Sequence, residues 1–134
     1  MRTLSIILLV AAIGMFSCRK SNSTGTNSLV GKWGLRTLPD TTFSLPGGTI
    51  YVQMNIQGLV DGEGGCNSFK GTYTADNNKL VFGDLTSTLM WCTYGDLETR
   101  FMTALRNTDS YTMSKGMLIL YHGGTQLATL TLIP

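Results

Sequence analysis

Apolar and polar residues alternate along most of this chain, and the alternation gives way at two places. It is cleanest from Thr49 to Gln57 (TIYVQMNIQ), where Ile50, Val52, Met54 and Ile56 share one face and Tyr51, Gln53, Asn55 and Gln57 the other. A period of two marks a strand with one face buried. Leu29 to Thr37 reads as a first strand. Phe69 to Thr74 alternates again, with Phe69, Gly71 and Tyr73 opposite Lys70, Thr72 and Thr74. Gly58 to Gly65 reads as a glycine-rich turn region. Asp76-Asn77-Asn78 is a turn signal, because short polar side chains bond their own backbone. Lys79 to Phe82 then pairs back as a short strand, and Leu85 to Met90 is expected to form another.

The first break in the alternation falls after Asp96. Leu97, Phe101 and Leu105 recur at helical spacing, with Met102 and Ala104 widening the stripe. Asp96 is placed to cap the helix or to sit in its first turn, where the helix dipole favours an acid. It can also pair with Arg100 one turn on. Asn107 ends the helix, and the period returns to two. Tyr111 with Met113, then Met117 to Tyr121, then Leu127 to Ile133 form three strands joined by turns at Lys115-Gly116 and Gly123-Gly124. Several strands, one helix and three more strands predict an α+β domain. Its expected form is a curved, largely antiparallel sheet or partial barrel with one helix packed against it. The two halves differ in pattern, which excludes a solenoid or propeller.

The second break is the N-terminus. Arg2 precedes an apolar run from Leu4 to Phe16, interrupted only by Ser5 and Gly14, and a polar run from Arg19 to Ser28 follows Ser17-Cys18. A charged start, a short apolar stretch and a small residue before the break make a secretory signal. A membrane span needs about 20 apolar residues, and this run is shorter. A break at cysteine points to a bacterial lipoprotein signal, although Phe16 is bulkier than the residue usual in a lipobox. The other reading is an ordinary cleaved signal with Cys18 incidental. The expected organisation is a signal peptide over 1–17, a flexible tether over 18–28 and a single domain over 29–134. Lipidation at Cys18 would hold the chain on a membrane, since multiple acylation gives a stable anchor where one chain does not.

Charge narrows the partners. The chain carries ten basic and eight acidic residues, and losing Arg2 with the signal leaves a net charge near +1. So small a charge creates no field to steer nucleic acid, and no nucleic-acid partner is expected. Of three cysteines, Cys66 and Cys92 remain once Cys18 is lipidated. In an oxidising compartment an even pair reads as a disulfide, worth about 3–4 kcal/mol in the chain-entropy picture. Two buried free thiols are the alternative.

Several segments together resemble the META/HslJ domain. They are Leu29-Val30-Gly31-Lys32-Trp33; the stretch from Gly62 to Tyr73, with GCNSFKGTY inside it; Leu85 to Cys92, ending TSTLMWC; Glu98 to Leu105; and Leu118-Ile119-Leu120. The resemblance spans nearly all of residues 29–133 in order. Its motif positions here are Gly65, Cys66, Asn67, Phe69, Gly71, Tyr73, Thr88, Met90 and Cys92. Trp91 departs from the pattern, which has a small residue there. The resemblance implies a compact α+β domain, often carried on bacterial lipoproteins and linked to stress responses, with no known catalytic activity.

The remaining chemistry is sparse. His122 is the only histidine, in an expected hairpin turn, and reads as a solvated turn residue rather than a base or metal ligand. Zinc would lack ligands, and no serine sits in a nucleophile elbow. Asp61-Gly62-Glu63-Gly64-Gly65 has neither the ligand spacing of a calcium loop nor the ending of a phosphate loop. Gly65, Cys66 and Asn67 read as a structural step, with glycine supplying an unusual backbone angle. Trp33, Trp91, Tyr51 and Tyr73, with the methionines, could line an apolar pocket, but core packing explains them as well. No cofactor and no metal are expected, and no catalytic residue. The expected function is a non-enzymatic, lipid-anchored domain of the bacterial cell envelope, on the outer membrane facing the periplasm. It would bind or stabilise another envelope component. The alternative is a carrier of a small apolar ligand or lipid between helix and sheet.

Overall fold

The computed structural model describes residues 28–134. The expected signal peptide, Cys18 and all of the tether but Ser28 lie outside the described residues. Eight strands run in sequence order as a closed antiparallel barrel: β1 (Gly31–Thr37), β2 (Tyr51–Met54), β3 (Leu59–Glu63), β4 (Ser68–Asp76), β5 (Lys79–Ser87), β6 (Ser110–Ser114), β7 (Met117–His122) and β8 (Thr125–Ile133). Helix α1 (Gly95–Asn107) forms most of the connection from β5 to β6. The α+β class and the curved antiparallel sheet with one packed helix are as the sequence predicts, and the sheet closes. Pairing of β1 with β8 completes the ring, with Trp33 opposite Leu132.

The closure has one thin seam. β5 pairs with β6 only at Lys79 and Ser110, reinforced by Leu80 N–H donating to Asp109 O at 3.3 Å and Tyr111 N–H to Asn78 O at 2.9 Å. Helix α1 packs against β5, β7 and β8, so it covers what would otherwise be a raw strand edge. Its buried stripe is Leu97, Phe101, Met102, Ala104 and Leu105, the residues expected from their spacing. Phe101 meets Phe69 edge-on, with centroids 6.2 Å apart and planes at 67°. The rest of the core comes from the inward set of each strand, including Trp33, Val52, Val60, Tyr73, Leu80, Leu118, Leu120 and Leu130. Trp33 Nε1 donates to Leu29 O at 2.8 Å, and Leu29 itself is fully buried.

Five expectations about the strands need correction. The stretch from Gly58 to Gly65 is not all turn, because Leu59–Glu63 forms β3, pairing with β2 and β4. Gly62 serves the strand by having no side chain, since a Cβ there would meet the Phe69 ring at 2.6 Å. The clearest predicted strand stops at Met54. Asn55 ends it by accepting the N–H groups of Gln57 and Leu59 on Oδ1, both at 3.0 Å, and Ile56 is left exposed. Lys79–Phe82 and Leu85–Ser87 are one strand, bent where Asp84 adopts a positive φ of 52°. Thr88 to Met90 is not strand; Asn67 captures its backbone, as described below. Leu29 also precedes the first strand, which begins at Gly31.

The meander places its connections alternately at the two ends of the barrel. The β1–β2, β3–β4, β5–β6 and β7–β8 links lie at one end. The other links lie at the far end, with the start of β1 and the finish of β8. Helix α1 and the segment leading into it are therefore at the end opposite the N-terminal entrance.

Candidate functional site

The first end of the barrel holds nearly all of the motif residues, and Asn67 organises them. Its side chain is buried and uses every hydrogen-bonding position it has. Nδ2 donates to Glu98 Oε1 at 2.6 Å and to Met90 O at 2.9 Å. Oδ1 accepts from Thr88 Oγ1 at 2.7 Å and from Met90 N–H at 2.6 Å. Glu98, in the first turn of α1, takes the N–H groups of Cys66 and Asn67 on Oε2, at 2.9 and 2.7 Å. The buried amide and the partly buried carboxylate are tolerated because they satisfy each other and the backbone. Gly64 makes room for this, since a Cβ there would lie 2.6 Å from Glu98 Oε2.

The disulfide joins the same structures. Cys66 and Cys92 are bonded, with Cα atoms 5.6 Å apart and a sequence separation of 26. Gly65, with φ at +121°, lies under Tyr94, whose Cβ would be 3.2 Å from an added Cβ. Five bonds thus fix the segment from Thr88 to Tyr94: the two between Asn67 and Met90, Thr88 Oγ1 to Asn67 Oδ1, Cys66 to Cys92, and Thr88 N–H to Ser68 O at 3.1 Å. The consequence lies on the outside. With its backbone held inward, the segment turns its side chains out: Leu89 is 97% exposed, Met90 66% and Trp91 92%. Three consecutive large apolar residues in water are unusual in a folded domain. They border an open cleft of about 780 Å³ whose walls include Ser87, Thr93, Asp96 and Thr99.

The sequence model of the META domain matches residues 22–132. The chain belongs to the META domain family. Among solved structures, this META chain is similar to the NMR structure of a protein from Burkholderia xenovorans, at 25% identity and TM-score 0.62, covering 81% of this chain and 86% of that one. It is also similar to the crystal structure of a DUF4847 family protein from Bacteroides vulgatus, at 14% identity and TM-score 0.59, covering 78% of this chain and 92% of that one. These likenesses bear on fold. No curated protein matches the chain.

The META motif positions divide by role. Gly65, Cys66, Asn67, Thr88, Met90 and Cys92 form the latch just described. Phe69, Gly71 and Tyr73 belong to β4 and its packing. Gly71 lets β5 approach, because a Cβ would meet Gly83 O at 2.7 Å. Tyr73 donates its hydroxyl to Asn55 O at 2.7 Å, and burial pushes its phenol up from its ordinary value. Glu98 joins this site without being one of the motif positions. Besides opening one of the segments that resemble the family, it signals only as an acid in the first helical turn, which the dipole alone accounts for.

Other candidates are scattered. Trp33 and Tyr73 lie in the core, while Tyr51 lies outside it under Lys32 Nζ, 3.7 Å from its ring centre. With Trp91 in solvent, these aromatics do not line one pocket. His122 sits at the β7–β8 turn with Nδ1 3.2 Å from Asp109 Oδ2. Asp109 also accepts from Ser110 Oγ at 2.6 Å and Gly123 N–H at 2.7 Å. The Ser110 hydroxyl, then the Gly123 amide, hold the Asp109 carboxyl below its ordinary value. Serine, histidine and aspartate therefore meet, but Ser110 serves the carboxylate and not the imidazole. Among the described residues no group of three or more His, Cys, Asp or Glu side chains is placed to hold a metal ion. A shallow groove of about 300 Å³ runs beside α1, walled by Leu38, Pro39, Ala104 and Leu127.

Proposed function

We propose that this META domain is a non-enzymatic, lipid-anchored module of the bacterial cell envelope that binds another envelope component through the Leu89–Trp91 end of its barrel. The observation that carries the reading is the apolar protrusion itself. Asn67, Glu98 and the disulfide hold its backbone, so exposing three large side chains is a built property of the fold. A preorganised apolar patch binds with little ordering cost, and tryptophan and methionine are enriched where proteins meet partners. Anchoring rests on the signal-like sequence ending at Cys18.

Capture from intact membranes tests the binding role. A photo-crosslinker placed at Thr93, beside the protrusion, should trap a discrete envelope component with the wild-type chain and lose it with Trp91→Ser. Equal trapping by both would refute the reading. Mass spectrometry of the mature N-terminus tests the anchor: Cys18 should be the first residue and acylated, and a different terminus or a free thiol would exclude it. A second reading, a carrier for a small apolar ligand, is favoured by the groove beside α1. Native mass spectrometry of purified protein should then reveal a bound apolar molecule, lost on Ala104→Glu.

A further inference from the structure

We infer that the component bound by the Leu89–Trp91 protrusion is a lipid surface of low charge, into which the three side chains insert. This rests on the reading that the protrusion is a binding site and names what it binds. Burying a loop in an apolar medium is ordinarily opposed by its backbone, since each unsatisfied N–H or C=O costs several kcal/mol there. At Met90, in the middle of this loop, that cost is removed beforehand. Met90 N–H donates to Asn67 Oδ1 and Met90 O accepts from Asn67 Nδ2. At its foot Cys92 O accepts from Gly95 N–H at 3.2 Å. The protein thus satisfies both backbone groups of Met90, the middle residue of the three, from within, leaving the apolar side chains free to leave water.

The charges point the same way. From Ser87 to Gly95 the chain holds no ionisable acid or base other than the disulfide-bonded Cys92 and the Tyr94 phenol. The nearest charged groups on α1 are already matched: Asp96 Oδ2 lies 3.1 Å from Arg100 Nε, and Glu98 is occupied by Asn67. A site for an anionic surface would present unpaired lysine or arginine. Leu89 and Met90 supply aliphatic bulk, while Trp91 and half-exposed Tyr94 at the neck are the aromatics that favour a membrane–water boundary.

Chain length permits the contact on the same bilayer as the proposed anchor. Ser28 lies ten positions after Cys18, and ten residue steps can span at most about 35 Å. The longest strands have nine residues, about 30 Å along the strand and less along the barrel once tilted. The N-terminal entrance lies at the far end, and a tether of that reach is long enough to cover the length of the barrel. Acylation and insertion then act as two membrane signals on one chain.

Fluorescence of the mature chain on phosphatidylcholine vesicles tests the inference. Trp33 is buried, so Trp91→Phe supplies its background signal. Lipid brominated on its acyl chains should quench the Trp91 component by more than half, and vesicles should lower its quenching by aqueous iodide several-fold. Leu89→Asp keeps the fluorophore and should reverse both effects, which separates insertion from mere nearness to the bilayer. A Trp91 that stays open to iodide on vesicles overturns the inference. If it then becomes protected when membrane proteins are present, the occupant is a protein groove and the binding reading stands. If it stays open there too, both fall.

Discussion

Asn67 shows how much a single side chain can decide. It spends two donors and two acceptors on three elements: the loop above it, the helix beside it and, through Glu98, its own turn. Removing it leaves the Met90 amide and the Glu98 carboxylate short of partners in a partly buried site. Asn67→Ala should destabilise the domain by about 2–4 kcal/mol, as loss of a satisfied buried network does. Urea titration checks the magnitude, and intensified exchange of the Met90 amide checks the cause. Asp109 is a residue of the opposite kind, exposed and adjustable. Its folded carboxyl titrates below the ordinary value of 3.8. A carboxyl so depressed contributes stability above its unfolded pKa, and that contribution disappears as pH falls through the lower folded value. Asp109→Asn should therefore be less stable than wild type at neutral pH and should approach it below pH 3.8. Melting both proteins across that range would show converging curves; parallel curves would contradict the assignment.

At the level of elements, α1 does two jobs with two faces. Its apolar stripe fills the barrel end, and Glu98 on the flank ties down the latch. Phe101 is fully buried against Phe69, so Phe101→Ala should cost about 3–5 kcal/mol. A cost below about 1 kcal/mol in denaturant titration would mean the stripe does not pack as described. The stripe was readable because helical spacing gathers residues four apart onto one side whatever surrounds them. The strands on either side of it were readable in kind but not in length. Ile56 continues the alternation of Ile50, Val52 and Met54, yet it lies outside, because Asn55 takes two amides that a ladder would have used. β3 was hidden by its glycines: Gly62 reads as a turn residue, and its reason for being in a strand is the Phe69 ring packed where a side chain would be.

For the molecule as a whole, the Cys66–Cys92 bond and the latch hold one end of the barrel, while Leu29 and Trp33 close the other. Reduction frees a loop of 26 residues in sequence and should lower stability by about 3 kcal/mol. The barrel should survive, since its ladder runs through all eight strands without the bond. Thermal melts with and without a thiol reductant, followed by far-ultraviolet circular dichroism, would show a lower midpoint with native secondary structure below it. Collapse of the strand signal on reduction would show that the bond is required for folding and does not merely reinforce it.

Periodicity alone established the α+β class, the helix over Gly95–Asn107 with its inward stripe and most of the strands, because side-chain direction in a helix or strand follows from local geometry. The motif order carried the family. Tertiary structure decided the rest. Barrel closure depends on β1 meeting β8, and the latch on Glu98 reaching a turn 31 residues earlier; neither contact leaves a local pattern. Leu89, Met90 and Trp91 look like core in a sequence, where apolar residues default to the interior. They stand outside because Asn67 and Cys66 hold their backbone from within, and only the folded chain brings those residues beneath them.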